Sequence, residues 1–387
     1  MKKYFGTDGI RRIANTELSP EFVYKVAKAG AYVLAKHSNH RPTILIGRDT
    51  RISGTLIESA MTAGFLSYGA NVKLLGVIPT PAVAYLTKKL NADASVVISA
   101  SHNTYEFNGI KFFSNKGMKI PDEIEEEIEE VIDSGKIEEL TAENDKIGVS
   151  EIHPEYLYEY ADFIIDIFKD VKIPEDFKIA LDTANGATYK VAEYIFKMLG
   201  INYQIINNNP DGININNNCG STHLENLKKY VLDNHLSLGI AYDGDGDRYV
   251  LEEMLKNGYN LGGEQSGHII LLDYNPTGDG ILTSLMLIRT LVENNMKPSE
   301  IRKNICIYPQ VLVNAKVKQE KKYDYFEDEE IQKEIENLEE EFSDDGRVLI
   351  RTSGTEPLVR VMIEGTDINY ISKKARYLAD LIEKNLN

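Results

Sequence analysis

The chain has 387 residues, which allows about two to four domains of ordinary size, and 42% of its residues are hydrophobic, as in a folded globular protein. Its formal net charge of −17 argues against a general nucleic-acid or anionic-membrane binder, because the long-range field would repel both. Two cysteines, Cys219 and Cys306, are too few for a disulfide framework. With no secretory signal and no apolar run of ~20 residues, we expect a cytoplasmic protein.

Strand and helix patterns alternate through the first part of the chain. Three apolar runs predict strands at Thr43–Ile46, Val72–Leu75 and Ala94–Ser99. Helical spacing of apolar residues predicts two helices, Ser53–Tyr68 and Ala82–Lys89. This order is typical of βαβ units and a parallel sheet. The acidic stretch Asp122–Leu140 predicts a surface helix whose charged side chains face solvent.

The rest of the chain continues the α/β pattern in three further blocks. The second block has helix Tyr156–Phe168, strand Lys178–Leu181, helix Thr188–Leu199, strand Tyr203–Ile206 and loop Asn207–Gly220. The third block has strands Leu238–Tyr242 and His268–Asp273 and helices near 249–257 and 280–295. The last block has strands Val311–Val317, Arg347–Arg351 and Val359–Glu364 and helices Glu327–Phe342 and Ile371–Leu386. We therefore predict domains at residues 1–150, 151–236, 237–300 and 301–387.

Three aspartates, Asp243, Asp245 and Asp247, follow the apolar run 238–242, which is predicted to be a strand. Side chains at alternate positions of extended backbone point the same way, and the intervening glycines allow a tight loop. Such hard oxygen ligands suit Mg²⁺. An EF-hand loop does not fit, because Arg248 stands where that motif needs glycine, and Tyr249 breaks the dinucleotide-binding fingerprint. An acidic surface turn is the alternative.

A serine follows the apolar run at 94–99, in the segment Ser99–Asn103. Ligand sites in open α/β sheets lie beyond the carboxyl ends of strands, so an exposed Ser101 there could be a nucleophile or a phosphate carrier. An ordinary turn or helix N-cap explains the same residues equally well. Lys111 follows closely and could be an acid or base, although a lone lysine is more often a surface residue.

Two loops near the end of the chain carry groups that bind anions and hydroxyls. The loop Arg351–Pro357, followed by Arg360, combines small hydroxyl residues and glycine with two guanidinium groups, which favours phosphate binding over a plain turn. The loop 262–268 places Glu264 and Ser266 between glycines, where they could bind sugar hydroxyls, but this signal is weak by itself.

Together these loops resemble the α-D-phosphohexomutase family. The matching segments run in family order from end to end: FGTDGIR, GRDTRISG, VIPTPAVAYLT, VVISASHN, NGIKFF, PDGININNNCGSTH, AYDGDGDR, GYNLGGEQSGHI and RTSGTEPLVR. The loop 262–268, here called the sugar loop, is more similar to that of the glucosamine branch of the family than to that of the mannose/glucose branch. The resemblance implies a multi-domain α/β protein with mixed sheets and flanking helices in three domains, a smaller α+β C-terminal domain and an active site in a central cleft.

The resemblance also implies a role for each motif. Ser101 would carry the phosphoryl group and, with the three aspartates, would hold Mg²⁺. Lys111 and His268 are the implied acid and base, and Arg11 and Arg248 are implied electrostatic partners. The implied substrate-binding residues are Glu264 and Ser266 for the sugar hydroxyls, and Arg351, Ser353, Gly354, Thr355 and Arg360 for the distal phosphate.

The implied reaction passes a phosphoryl group from phospho-Ser101 to the 1-hydroxyl of glucosamine 6-phosphate, after which Ser101 takes back the 6-phosphoryl group. Mg²⁺ is the implied cofactor, a hexose 1,6-bisphosphate the primer and a phosphosugar the partner. We expect neither nucleic acid nor membrane as a partner, and a homodimer is suggested by the family alone. The alternatives are a mutase for mannose or glucose phosphates, a metal-dependent phosphatase, and a catalytically impaired family member.

The sequence departs from the family pattern in three places. Arg12 and Thr104 stand where glycine and proline are expected. In addition, Arg248 passes directly into Tyr249, and the chain is roughly 60 residues shorter than the family implies. We therefore predict an internal deletion in the third domain, between two Gly-Asp-Arg repeats. A third domain reduced to two strands would be only marginally stable by itself.

Overall fold

The computed structural model describes residues 3–6, 9–35, 40–242, 254, 259–263, 269–301, 308–353 and 357–387. The chain forms two compact units, Met1–Pro298 and Ser299–Asn387. In the part of the chain that is described, no helix has the length and apolar character needed to cross a membrane.

A six-stranded sheet organises the beginning of the first unit. Its strands are β1 (Ile10–Ile13), β2 (Thr43–Arg48), β3 (Asn71–Val77), β4 (Ala94–Ile98), β5 (Phe107–Ser114) and β6 (Ser150–Ile152), in the order β1-β5-β4-β2-β3-β6. The helices are α1 (Pro20–Ala35), α2 (Gly54–Tyr68), α3 (Thr80–Lys89) and α4 (Asp122–Asp133). Both faces of the central strands are covered, and Ile44, Ile46, Val96 and Ile98 are buried in the core.

This sheet is mixed, as the family resemblance implies, although the strand–helix order by itself indicates parallel βαβ units. β5 runs antiparallel to both β1 and β4, whereas β2 is parallel to β3 and β4. The loop Ser99–Glu106 between β4 and β5 is shorter than the crossover of about a dozen residues that parallel strands need. The chain therefore turns back beside β4, and the predicted serine loop becomes the hairpin connection.

The acidic helix α4 is less solvated than its charge pattern predicts. Two of its carboxylates, those of Glu125 and Glu129, are buried. Glu129 accepts the backbone N–H groups of residues 3–5 at 2.6 to 2.7 Å, and Glu125 pairs with Lys119 at 2.5 Å. Glu129 therefore binds a distant part of the chain, whereas Glu125 binds a residue just before the helix.

A second, three-stranded parallel sheet follows in the order β8-β7-β9. Its elements are α5 (Tyr156–Phe168), β7 (Ile179–Asp182), α6 (Tyr189–Met198), β8 (Tyr203–Ile206), α7 (Glu225–Asp233) and β9 (Leu238–Ala241). β9 pairs with β7, so this strand belongs to the second sheet and not to the third block, where the sequence pattern placed it. Crossover helices between successive strands explain the parallel arrangement.

The remainder of the first unit contains a short antiparallel pair, β10 (Leu261–Gly263) and β11 (Ile269–Leu271), and helix α8 (Gly280–Glu293). A four-residue helix, α9 (Pro298–Ile301), ends this part of the chain. The helix predicted near 249–257 lies outside the described residues except for Met254, which is helical.

The second unit is a small α+β fold with its own hydrophobic core. Its elements are β12 (Gln310–Lys316), α10 (Glu329–Glu341), β13 (Arg347–Thr352), β14 (Leu358–Glu364) and α11 (Ile368–Leu386). The strands form an antiparallel sheet in the order β12-β14-β13, and buried residues of α10 and α11 pack with those of β12 and β14. The carboxylates of Asp328 and Asp367 cap the two helices by accepting N–H groups of the first turn.

Candidate active site

Ser101 lies immediately beyond the carboxyl end of β4, as predicted, but it is buried and not exposed. Its relative exposure is 6%, and its backbone φ is +54°. A left-handed conformation at a non-glycine residue costs about 1–2 kcal/mol, so the surroundings must hold it in place. Together with Ser99 and Asp49, Ser101 lines a cavity of about 340 Å³.

Arg51 is the main support of the serine loop, and the sequence marked it only as part of the family-like segment GRDTRISG. The side chain is buried, with a relative exposure of 1% for the residue. Its Nη2 donates to the carbonyls of Ser101 at 2.9 Å and Asn103 at 2.8 Å. Its Nη1 donates to the carbonyls of Thr104 and, at 3.1 Å, Phe107.

Asp49 completes this support from the other side of the guanidinium group. Its Oδ2 accepts from Arg51 Nε at 2.8 Å and from the Ser99 hydroxyl at 2.7 Å. The Ser99 hydroxyl oxygen in turn accepts the backbone N–H of Ser101 at 3.0 Å. A chain of hydrogen bonds therefore runs from the end of β2 to the backbone of Ser101.

Asn216, from the loop between β8 and α7, contacts the same segment and was not singled out by the sequence. Its side-chain amide donates to the carbonyls of Ser101 at 2.8 Å and Asn103 at 2.9 Å. Asn216 is buried, and its backbone N–H donates to the carbonyl of Ala184, which follows β7. The segment PDGININNNCGSTH, which contains this residue, was noted only as one of the family-like segments.

Arg11 and Lys111, two further predicted residues, lie on the strands beside this loop. Arg11 is on β1 opposite Gly109, and its Nη1 donates to Asn103 Oδ1 at 3.0 Å. Lys111 is buried on β5, where its backbone is paired with Val97 of β4. The fold therefore brings Ser101, Arg11 and Lys111 to neighbouring strands of one sheet.

A further buried carboxylate that lines the cavity belongs to Asp279, at the start of α8. It accepts the hydroxyl of Tyr160 at 2.9 Å and the side-chain amide of Asn275 at 3.2 Å. Burial raises the pKa of Asp279, although hydrogen bonds from Leu282 N–H and Tyr160 act in the opposite direction. The pKa of the Tyr160 hydroxyl is also raised, chiefly by burial and then by the charge of Asp279.

Nine predicted site residues lie outside the described residues. They are Asp243, Asp245, Asp247, Arg248, Glu264, Ser266, His268, Gly354 and Thr355. The first of them directly follows Tyr242, whose buried backbone N–H donates to the carbonyl of Asp182 at 2.9 Å.

In the second unit, Arg351 and Arg360 are cross-strand partners on β13 and β14. Directly opposed residues of antiparallel strands project from the same face, with Cβ atoms about 5 Å apart. Both residues are exposed, so this face of the sheet carries two adjacent guanidinium groups. Ser353 is buried beside them, and its carbonyl accepts from Nζ of the buried Lys322 at 3.0 Å. Lys322 carries no sequence signal beyond a run of charged residues.

Four family models match the chain and cover most of its length. They are described as domain I of phosphoglucomutase/phosphomannomutase (residues 2–139), domain II (155–253), domain III (244–307), each α/β/α, and the C-terminal domain (312–380). The chain also aligns end to end with a phosphoglucosamine mutase of Acetivibrio thermocellus, with 46% identity and 100% of both chains covered. The chain belongs to the phosphoglucomutase/phosphomannomutase family. The resemblance and the predicted fold class are thus confirmed.

Other members of the phosphoglucomutase/phosphomannomutase family agree with this assignment. A phosphoglucosamine mutase of Clostridium kluyveri is 46% identical over 456 positions, again with 100% of both chains covered. A solved family protein from Burkholderia thailandensis has a TM-score of 0.76 at 20% identity and covers 100% of this chain and 99% of its own.

Two Aspergillus fumigatus structures share the family fold. N-acetylphosphoglucosamine mutase in complex with GlcNAc-6P and magnesium has a TM-score of 0.64 at 14% identity, covering 100% of this chain and 96% of its own. A variant of that enzyme in complex with glucose 1,6-bisphosphate has a TM-score of 0.57 at 15% identity, with the same coverage.

The alignment with the Acetivibrio thermocellus relative runs over 453 positions, whereas this chain has 387 residues, so at least 66 positions have no counterpart here. In addition, the matches to domains II and III overlap at residues 244–253. Both findings agree with a deletion near Arg248, where the sequence predicts it.

Proposed function

We propose that this protein is a phosphoglucosamine mutase, which interconverts glucosamine 6-phosphate and glucosamine 1-phosphate. The observation that carries the proposal is Ser101, held in a strained, hydrogen-bonded loop at the carboxyl end of β4. The names of the full-length relatives agree with it. We also propose that the enzyme works in the cytoplasm, takes a hexose 1,6-bisphosphate as primer and forms a homodimer.

In the proposed reaction, the bond between Ser101 Oγ and phosphorus breaks as the sugar's 1-hydroxyl oxygen bonds to the same phosphorus. The hydroxyl proton passes to a base, for which Lys111 and His268 are the candidates. The bisphosphate then presents its other end: the bond between phosphorus and the sugar's 6-oxygen breaks as Ser101 Oγ bonds to that phosphorus, and the protonated base returns its proton to the 6-oxygen. Such a transfer depends mainly on positioning and charge stabilisation.

Ser101 and the aspartates 243, 245 and 247 form the proposed Mg²⁺ site. Carboxylate and hydroxyl oxygens are the hard ligands that Mg²⁺ takes, so the donor set fits the ion. When bound, Mg²⁺ would neutralise charge on the transferring phosphoryl group. Arg11 and Arg248 are the proposed electrostatic partners at this end of the substrate.

Arg351 and Arg360 are proposed to hold the phosphate that is not reacting. These arginines are directly opposed on neighbouring strands, so a phosphate dianion could accept charge-assisted hydrogen bonds from both guanidinium groups. Ser353, Gly354 and Thr355 would complete the phosphate site. Glu264 and Ser266 are proposed to contact the sugar hydroxyls.

Turnover of glucosamine 6-phosphate, measured with Mg²⁺ and glucose 1,6-bisphosphate, tests the proposal. We expect formation of glucosamine 1-phosphate, a mass gain of one phosphoryl group on Ser101, and loss of both in Ser101→Ala. Replacing all three aspartates by asparagine should lower the rate at least ~10³-fold, because the ion loses its anionic ligands. Wild-type turnover no higher than that of Ser101→Ala would reject the mutase activity.

Parallel assays distinguish the alternative functions. A preference for glucose or mannose 6-phosphate would assign the chain to the other branch of the family. Release of inorganic phosphate without any sugar 1-phosphate would indicate a phosphatase instead.

A further inference from the structure

Arg51 and Asn216 bind the same two carbonyl oxygens from opposite parts of the first unit. Each NH₂ group involved has two hydrogens, and each donates to both Ser101 and Asn103. The four contacts have lengths of 2.8 to 2.9 Å, so both groups lie within ordinary hydrogen-bond distance of both oxygens. The peptide units 101–102 and 103–104 are therefore each held by two donors.

The two donors come from different sheets. Arg51 follows β2 of the six-stranded sheet, and all five of its side-chain N–H donors are used within that sheet's loops. Asn216 belongs to the loop after β8 in the second sheet. Two further bonds join the loop after β2 to loops of the second sheet. Thr50 Oγ1 donates to the carbonyl of Asn185, in the loop after β7, at 2.5 Å, and the Ile52 N–H donates to the carbonyl of Gly212, in the loop after β8, at 2.8 Å.

Asn216 is therefore placed where the second sheet can influence the direction of the Ser101 side chain. Ser101 adopts a left-handed conformation that is intrinsically unfavourable, and its own carbonyl is one of the two that Asn216 holds. Without the amide, the carbonyls keep their Arg51 donors, so the loop remains attached but loses one of its two constraints. A shift of ~1 Å in a reacting group can lower a rate about 10²-fold.

We infer that Asn216 is a positioning residue for phosphoryl transfer: its amide, acting with Arg51, sets the orientation of Ser101 from the second sheet. This inference rests on the proposed role of Ser101. Asn216 acts through the loop backbone, so its removal should reduce kcat and the rate of Ser101 phosphorylation while leaving KM nearly unchanged.

The test compares Asn216→Ala and Asn216→Asp with a matched control, Asn226→Ala. Asn226 is an exposed asparagine of the same sheet region, and its amide donates to the Asn218 carbonyl at 3.0 Å. We expect kcat for glucosamine 6-phosphate to fall about 30- to 100-fold in Asn216→Ala, with KM within about 3-fold of wild type. Asn216→Asp should fall at least as far, because a carboxylate of the same shape faces two carbonyl oxygens without donors. The control should keep the wild-type kcat.

A second measurement separates this inference from the proposed function. Amide hydrogen exchange over residues 99–107 should be faster in Asn216→Ala than in Asn226→Ala, while exchange in β2 and β4 stays unchanged. If the wild type proves inactive, the proposed function fails, but the exchange result still decides the positioning role. Unchanged exchange in the loop, an unchanged kcat, or kcat and KM that change together with general unfolding would overturn the inference.

Discussion

At the residue scale, Asp279 shows how burial alters a helix cap. It caps α8 as Asp367 caps α11, with the carboxylate accepting an N–H of the first turn in each case. Asp279 is buried, whereas Asp367 is exposed. Burial raises the pKa of Asp279. Its carboxylate accepts hydrogen bonds from the Tyr160 hydroxyl, the Asn275 amide and the Leu282 N–H, which are all uncharged groups.

Asp279→Asn should therefore change how stability depends on pH. The native state holds the Asp279 proton more tightly than the unfolded chain does, so this group's contribution is complete below about pH 4 and is lost as pH rises through the native pKa. Asparagine does not titrate and still caps a helix. Relative to wild type, the free energy of unfolding of Asp279→Asn should increase from pH 4 to pH 7. Urea unfolding at several pH values measures it.

Asp367→Asn is the control for that experiment, since the same substitution is made at an exposed cap. The difference in free energy of unfolding between Asp367→Asn and wild type should vary little over the same pH range. If the free energy of unfolding of Asp279→Asn relative to wild type stays constant or decreases as pH rises, the native pKa of this carboxyl is not raised.

At the scale of elements, β5 depends on a close approach at Gly109. A Cβ atom there would lie 2.6 Å from the Ser99 carbonyl oxygen and 2.7 Å from the Ile10 carbonyl oxygen. Both oxygens belong to backbone on either side of β5 and cannot rotate away. Gly109→Ala should therefore destabilise the first unit by about 1–3 kcal/mol and also lower activity, because Arg11 and Lys111 lie on the strands that must separate.

Gly6→Ala serves as the comparison for Gly109→Ala. Among the described residues, a Cβ at Gly6 would have one neighbour, the Gly9 carbonyl oxygen at 3.6 Å, which is ordinary contact. The urea concentration at the midpoint of unfolding should be lower for Gly109→Ala than for wild type, and it should stay near the wild-type value for Gly6→Ala. Equal midpoints for the two variants would show that the strands can spread at no cost.

The same elements show what sequence analysis could and could not reach. The strand before Ser101 was predictable because an apolar run ends at a polar loop, and ligand sites lie at such strand ends. The support of that loop was not, because Arg51 meets it only when β2 pairs with β4, and Asn216 only when the two sheets come together. The buried Glu129 was misjudged for a related reason: a charge pattern identifies a surface helix, but not a carboxylate whose partners are the N–H groups of residues 3–5.

At the scale of the whole molecule, the chain is shorter than its relatives although it aligns with them from end to end. At least 66 aligned positions have no counterpart here, and the overlap of the domain II and III matches at residues 244–253 agrees with the predicted deletion near Arg248. Ser101 and its supports lie in the first two sheets, and Arg351 and Arg360 lie in a separate unit with its own core. We therefore expect the missing positions to affect the third family domain more than the parts that hold the described site residues.

Inserting the corresponding segment of the Acetivibrio thermocellus relative between Arg248 and Tyr249 should raise kcat at least about 10-fold, because it restores the sheet that orients the metal and sugar loops. A Gly/Ser insertion of equal length is the control, and it should leave kcat unchanged or lower it. The rate of Ser101 phosphorylation and kcat should rise together in the chimera. If the folded chimera is no faster than the natural chain, the shortened third domain already positions these loops, and the deletion has no catalytic cost.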